Sequence, residues 1–307
     1  MRGASPERRT RPPITPPEGA QWIEGADGVR LYLRVEAPAG EPLGVIYFVL
    51  GPEIGTAEPY PKLKEALLAS GFATVMLHPR GSGFSDGLRG DIDDYALFLG
   101  DLRLGLEEAR KRFVGKAVFL FGHSAGAALA LHLAAPQKAS AQRAEKAALR
   151  GIVLVNPAYQ LIYGEGMGPS LRDYVSYAFN TVFRRSALSV DLNGVPSAVK
   201  DPDDRQEALA MQRDPLVVRH FSIRYLLAQR RVMRACAANA ARIEAPLFLV
   251  QGANDALVDP AGNQQILAAA KSADKTLIVA PRGGHGASAV ETSVEPLLTW
   301  LRAHATG

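Results

Sequence analysis

The chain has one cysteine, Cys236, in 307 residues, so it cannot close an internal disulfide, and nothing in its thiol content points to an oxidising compartment. It also lacks a long hydrophobic run. The longest unbroken apolar stretch is residues 45–50, Val-Ile-Tyr-Phe-Val-Leu, far short of the ~18 residues that a membrane span needs. Arg2, Arg8, Arg9 and Arg11 are not followed by an apolar segment of the kind a secretory signal carries, and the cytoplasm is the expected compartment. The excess of one charge over the other is small too. The formal net charge is +4, and half of it comes from residues 1–20, where the four arginines face only Glu7 and Glu18. That segment reads as a flexible basic arm. The rest of the chain is close to neutral and has no broad basic excess, so no nucleic-acid partner is expected.

Phosphate-binding loops are missing as well. No Gly-Lys-Ser/Thr occurs, and Gly81-Ser82-Gly83 has Asp86 where the third glycine of a dinucleotide loop would stand. Asp201, Asp203 and Asp204 are flanked by Lys200 and Arg205, and Asp91, Asp93 and Asp94 have no histidine at ligand spacing, so both groups read as solvated turns and helix caps. Neither a cofactor nor a metal is expected.

With 47% apolar and 21% charged residues, the chain has the composition of a globular protein, and its length lets it bury roughly three quarters of its unfolded surface. Short apolar runs rich in β-formers alternate with helical patterns. Strands are predicted at Arg30 to Val35, Val45 to Leu50, Ala73 to Leu77, Ala117 to Phe121, Ile152 to Val155, Leu247 to Gln251 and Thr276 to Ala280. Helices are predicted near residues 61–70, 94–113, 125–135, 260–271 and 291–303, with Asp259-Pro260 as an N-cap and N1 pair. The pattern is that of an α/β fold, a mostly parallel central sheet with helices on both faces.

The alternation stops between Ala158 and Ile243, a stretch of about 85 residues that is too long to be a structureless loop. The expected organisation is therefore a core of residues 21–158 and 243–307 with a helical cap inserted at 159–242. Eight of the 22 aromatic residues lie between Tyr159 and Tyr225. The segment Tyr174 to Phe183 is apolar on most of its circumference, and Leu216, Val217, Phe221, Tyr225, Leu226 and Met233 predict a second cap helix. Tyr174, Tyr177, Phe179, Phe183, Phe221 and Tyr225 are candidates to wall an apolar binding tunnel. The plainer alternative is that these rings pack the cap onto the sheet.

Gly122-His123-Ser124-Ala125-Gly126 fits G-x-S-x-G and lies between a predicted strand and an Ala/Leu-rich helix. A serine on such a strained elbow presents its hydroxyl above the sheet. To act as a nucleophile it needs a base and an orienting acid, in the order serine, acid, histidine. Asp255, after the strand Leu247 to Gln251, and His285, after the strand Thr276 to Ala280, meet that requirement. Asp259 is the competing acid, although helix capping accounts for it. His123 reads as the variable position of the elbow, and Cys236 as a packed thiol.

On these features the chain resembles the α/β-hydrolase superfamily, and within it the monoacylglycerol lipase and lysophospholipase group. The resemblance runs from Ala26 to Leu301 and includes Asp27-Gly28-Val29-Arg30-Leu31, the segment His78 to Ser85, the elbow and Asp214-Pro215-Leu216-Val217. It implies that Ser124 is the nucleophile, His285 the base and Asp255 its orienter, acting on a small-molecule carboxylic ester whose apolar acyl chain lies under the cap. The cap's aromatic surface would be the face for any transient membrane contact. Acyl transfer or thioester cleavage by the same residues, and a non-catalytic binding role, are the alternatives. Two segments depart from the group's pattern: Leu50-Gly51 replaces its His-Gly, and His78 and Ser82 replace the first Asp and the His of its D-x-R-G-H-G-x-S. Pro52 has no N–H to offer an oxyanion, so Ala125 would have to share that task with Gly51 or Glu53.

Overall fold

The computed structural model of the chain describes residues 14–51, 56, 59–136, 148–162, 188–191 and 202–306. Eight strands form one sheet: β1 (Gln21–Glu24), β2 (Arg30–Glu36), β3 (Gly44–Val49), β4 (Phe72–Leu77), β5 (Ala117–His123), β6 (Gly151–Val155), β9 (Leu247–Gly252) and β10 (Lys275–Ala280). Their spatial order is β1-β2-β4-β3-β5-β6-β9-β10. β2 runs antiparallel to β1 and β4, and every other pairing is parallel. The helices α1 (Pro61–Ala69), α2 (Tyr95–Arg112), α3 (Ala125–Ala134), α7 (Pro260–Ala269), α8 (Ala287–Glu291) and α9 (Val294–Ala305) belong to the connections and the C-terminal end. Between β6 and β9 lie β7 (Leu188–Asp191), α4 (Pro202–Arg213), β8 (His220–Ser222), α5 (Ile223–Arg234) and α6 (Cys236–Ala240), with β7 and β8 pairing antiparallel.

All seven predicted strands are present, as are the five predicted helices, the last beginning at Val294. The central strands are continuous apolar runs because both of their faces are covered. In β3, Val45, Tyr47 and Val49 join Leu120, Phe98, Leu102 and Leu129 on one face. Ile46, Phe48 and the adjoining Leu50 join Phe121, Leu63 and Trp300 on the other. Local capping starts the helices where the sequence places them: Asp94 accepts from Ala96 N–H at 2.8 Å and Asp259 from Ala261 N–H at 2.8 Å.

Two predicted features differ. The apolar stripe 216–233 is not one helix: Phe221 lies in β8, and α5 begins only at Ile223, capped by the Ser222 hydroxyl. Asp91 is not a solvated turn residue. Its side chain is fully buried, pairs with Arg224 Nε at 2.6 Å and accepts from the Ser222 hydroxyl at 2.5 Å, tying α5 to the segment ahead of α2. A second buried ion pair braces α2 itself, through Asp101 in its second turn. Arg80 holds Asp101 bidentately at 2.6 and 2.8 Å and reaches Asp27, in the β1–β2 turn, at 3.0 and 3.1 Å. Among the described residues, no helix is long and apolar enough to cross a membrane.

Candidate active site

β4 lies on one side of β3 and β5 on the other, so the strand order reverses at β3. An α/β sheet opens a crevice at such a point, outside the strands' carboxyl ends. Ser124 stands there, immediately after β5. Its backbone has φ 52° and ψ −118°, a conformation natural to glycine that costs any other residue of order 1–3 kcal/mol. The turn is held from outside, because Ser124 N–H donates to Val155 C=O at 2.9 Å and Ser124 C=O accepts from Ala158 N–H at 3.0 Å. The flanking glycines are required by close approach. A Cβ on Gly122 would lie 2.5 Å from the Gly126 oxygen, and one on Gly126 would lie 2.3 Å from the Val49 oxygen.

Ser124 Oγ lies 2.9 Å from His285 Nε2, and His285 Nδ1 lies 2.8 Å from Asp255 Oδ2. The three residues follow β5, β10 and β9, as the sequence order predicted. The side chain of Asp255 is 2% exposed. Burial works against its charge, but the His285 hydrogen bond and the N–H groups of Leu257 and Val258, at 2.8 and 3.0 Å from Oδ1, outweigh that and hold its carboxyl below the usual range. Asp259 faces its own helix, as its capping bond shows. The Asp255 loop is fixed in turn by Asp259 N–H donating to Gln160 C=O and Ile162 N–H to Leu257 C=O, both at 2.9 Å.

Ala125 is the first residue of α3, a position whose N–H has no acceptor within the helix. Gly51, just past β3, is buried with its nitrogen beside Gly126. Glu53 and Pro52 lie outside the described residues, as do Tyr174, Tyr177, Phe179 and Phe183. Phe221 and Tyr225 are described, and they are packing residues: 0% and 1% exposed, stacked at 4.7 Å, and part of the same apolar cluster as Leu129 and Cys236. With no accessible surface they line no open tunnel here. Burial of Cys236 pushes its thiol up to about 12, so it is an inert packed group.

Several residues around the histidine were invisible to sequence reasoning. His123 is more than a variable position. Its Nε2 lies 2.5 Å from the backbone oxygen of His285, a pure acceptor, so Nε2 carries the proton and Nδ1 accepts from Tyr60 O–H at 2.8 Å. Burial and the neighbouring His285 push His123 down to about 4, which keeps it neutral. Asn156, fully buried at the end of β6, accepts from Gly252 N–H at 2.8 Å and donates to Gly284 C=O at 2.9 Å and His285 C=O at 3.2 Å. Asp204, expected to be solvated, is 3% exposed and caps the start of α8, as does Glu207. The only available signals were the pairs Tyr60-Pro61 and Asn156-Pro157, which mark element boundaries without saying what the side chains touch.

The sheet order, the strained elbow and the serine–histidine–aspartate chain at the carboxyl ends of three parallel strands define an α/β-hydrolase. Residues 40–291 match the serine aminopeptidase S33 family of hydrolases, and the chain belongs to it. It is similar to the monoglyceride lipase of Homo sapiens, 28% identical over 278 residues that cover 89% of this chain and 85% of the relative. Among solved structures it resembles a soluble variant of the Saccharomyces cerevisiae monoglyceride lipase, with a TM-score of 0.75 and 19% identity over 97% of this chain and 98% of the other. It also resembles the monoacylglycerol lipase of Paleococcus ferrophilus, with a TM-score of 0.68 and 23% identity over 89% and 99% of the two chains.

Proposed function

We propose that this protein hydrolyses carboxylic esters carrying an apolar acyl chain, monoacylglycerol-like or lysophospholipid-like, through an acyl-enzyme formed on Ser124. Family membership and the likeness to monoglyceride lipases make it a carboxylic ester hydrolase acting on small-molecule esters. The observation that carries the finer reading is the unbroken hydrogen-bonded chain from Ser124 Oγ through His285 to the ionised Asp255. Ser124 Oγ attacks the ester carbonyl as His285 Nε2 takes its proton, and Asp255 orients the imidazole and stabilises the cation that forms. Ala125 N–H accommodates the developing oxyanion, with Gly51 or Glu53 supplying the second donor that Pro52 lacks. The alcohol leaves with the proton from His285. Water then repeats the cycle on the acyl-enzyme and frees the acid. In this reading residues 159–242 act as a cap over the crevice, and the walls of an acyl tunnel fall to Tyr174, Tyr177, Phe179 and Phe183.

Labelling with a fluorophosphonate, followed by peptide mapping, tests the assignment. The expected result is modification of Ser124 alone, with p-nitrophenyl butyrate hydrolysis lost in Ser124→Ala and in His285→Ala. Asp255→Asn should fall by ~10⁴ in kcat, whereas Asp259→Asn should retain most activity. Unchanged hydrolysis in Ser124→Ala, or greater damage from Asp259→Asn than from Asp255→Asn, would reject these roles.

A further inference from the structure

The backbone of His285 is gripped on both sides. Its carbonyl accepts from His123 and Asn156, as described above. The three N–H groups that follow it are all taken by carboxylates of α4, the helix ahead of β8. Asp204 Oδ2 accepts from Gly286 N–H and Oδ1 from Ser288 N–H, while Glu207 Oε2 accepts from Ala287 N–H, each at 2.9 Å. These N–H groups open the short helix α8 and would otherwise have no acceptor within it. Ionised acceptors make such bonds strong.

Packing at the contact is close enough to dictate the residue after the histidine. A Cβ on Gly286 would lie 2.8 Å from Glu207 Oε2 and 2.9 Å from Asp204 Oδ1. Gly286 has φ −90°, outside the left-handed region that favours glycine. What excludes a side chain there is the pair of carboxylates.

We propose that Asp204 and Glu207 are positioning residues for His285: reaching from α4 onto the N–H groups of residues 286–288, they set the imidazole between Ser124 and Asp255. The proposal rests on the triad reading given above. Displacing a catalytic group by about 1 Å costs ~10²-fold in rate, and three backbone bonds to one loop provide the necessary stiffness. The same carboxylates act electrostatically. The groups around His285 are Asp255 from the loop after β9, His123 from the end of β5, and Asp204 and Glu207 from α4; Glu291 of α8 acts on Glu207 and is itself paired with Lys62 of α1 at 2.7 Å. Burial pushes the Glu207 carboxyl up, Asp204 and Glu291 add to that, and attraction to His285 opposes it. An imidazolium on His285 is therefore stabilised by Glu207 when Glu207 is charged.

The test uses the full chain and p-nitrophenyl acetate, an ester too short to report on acyl recognition. Activity is measured well below each variant's melting temperature and normalised to folded protein by circular dichroism. Asp204→Ala removes two acceptors, and Gly286→Ala pushes the carboxylates away while leaving α4 intact. Each should lower kcat ~10- to 100-fold with KM within about twofold. Glu207→Gln keeps an oxygen for Ala287 N–H but removes the charge, so the acidic limb of kcat/KM should move to lower pH. Wild-type kcat per folded molecule in both Asp204→Ala and Gly286→Ala overturns the positioning role, and an unmoved limb in Glu207→Gln overturns its electrostatic part. A wild-type protein that neither hydrolyses the ester nor labels at Ser124 overturns the triad reading, and the positioning role falls with it.

Discussion

Among the described residues, the three non-glycine residues with positive φ are Tyr60 (53°), Ser124 (52°) and Asn156 (43°), and all three belong to one site. Ser124 presents the nucleophile, Tyr60 binds His123, and Asn156 holds the carbonyls of Gly284 and His285. Backbone strain in this molecule is thus concentrated where side chains must be aimed rather than merely packed. The argument is testable at Ser124, where glycine would adopt φ 52° and ψ −118° without cost. Ser124→Gly should abolish ester hydrolysis and still raise unfolding stability by ~1 kcal/mol, after allowing for the looser unfolded chain, or about 1–2 °C in Tm. Urea unfolding of the two proteins measures it. A variant less stable than wild type would mean that the elbow stores no strain. None of the three conformations can be read from composition or periodicity, because each is imposed by contacts made from elsewhere in the chain.

Among the elements, the interactions that join them divide sharply by burial. Arg80, between β4 and α2, is held by Asp101 at 2% side-chain exposure and by Asp27 at 43%. The buried pair raises Arg80 well above its ordinary value against the opposing effect of burial. Removing only the cation leaves Asp101 buried and uncompensated, so Arg80→Met should cost ~3–5 kcal/mol, whereas Asp27→Asn, at the exposed arm, should cost under ~1 kcal/mol. Equal losses in chemical denaturation would contradict the burial argument. The elements themselves were largely legible. β3, β5, β6 and β9 announce themselves as continuous apolar runs because helices cover both faces, and Asp94 and Asp259 mark helix starts through local capping. β1 escaped notice because it is a four-residue edge strand with only Trp22 and Ile23 as apolar signals. The stripe 216–233 misled because its apolar spacing runs through a strand and a helix, and only the Ser222 cap separates them. Ser124, Asp255 and His285 could be found because strand ends and chain order constrain them. Asp204, Glu207, Asn156 and Tyr60 could not, since their partners lie 63 to 129 residues away or act through a second side chain, and no local pattern encodes such contacts.

For the molecule as a whole, the same burial that shapes the site makes stability depend on pH. His78 and His123 are both buried, and desolvation is the main cause that pushes them down, to about 3 and about 4, from an ordinary value of 6.5. Geometry agrees: His78 Nδ1 accepts from Phe84 N–H at 3.1 Å, a bond that protonation there would destroy. Because the folded values lie below the unfolded one, the unfolded chain binds more protons between pH 6.5 and about 4. The stability these histidines allow is complete above 6.5 and is lost as pH falls through that window. Each contributes a slope of about 1.4 kcal/mol per pH unit, or about 2 kcal/mol lost at pH 5. His132, lowered by burial and by Arg103 and Arg242, acts in the same direction, while Asp101 and Glu207, raised by burial, act in the opposite direction near the acid end. His78→Gln isolates one contribution. The substitution should lower stability at neutral pH through the lost stacking on Phe84 and Tyr32, yet its plot of unfolding free energy against pH should be shallower by about one proton between pH 4.5 and 6. Urea denaturation at half-unit intervals gives both slopes. Parallel curves for the two proteins would mean that His78 is protonated in the folded state as readily as in the unfolded chain, and that the pH dependence originates in other groups.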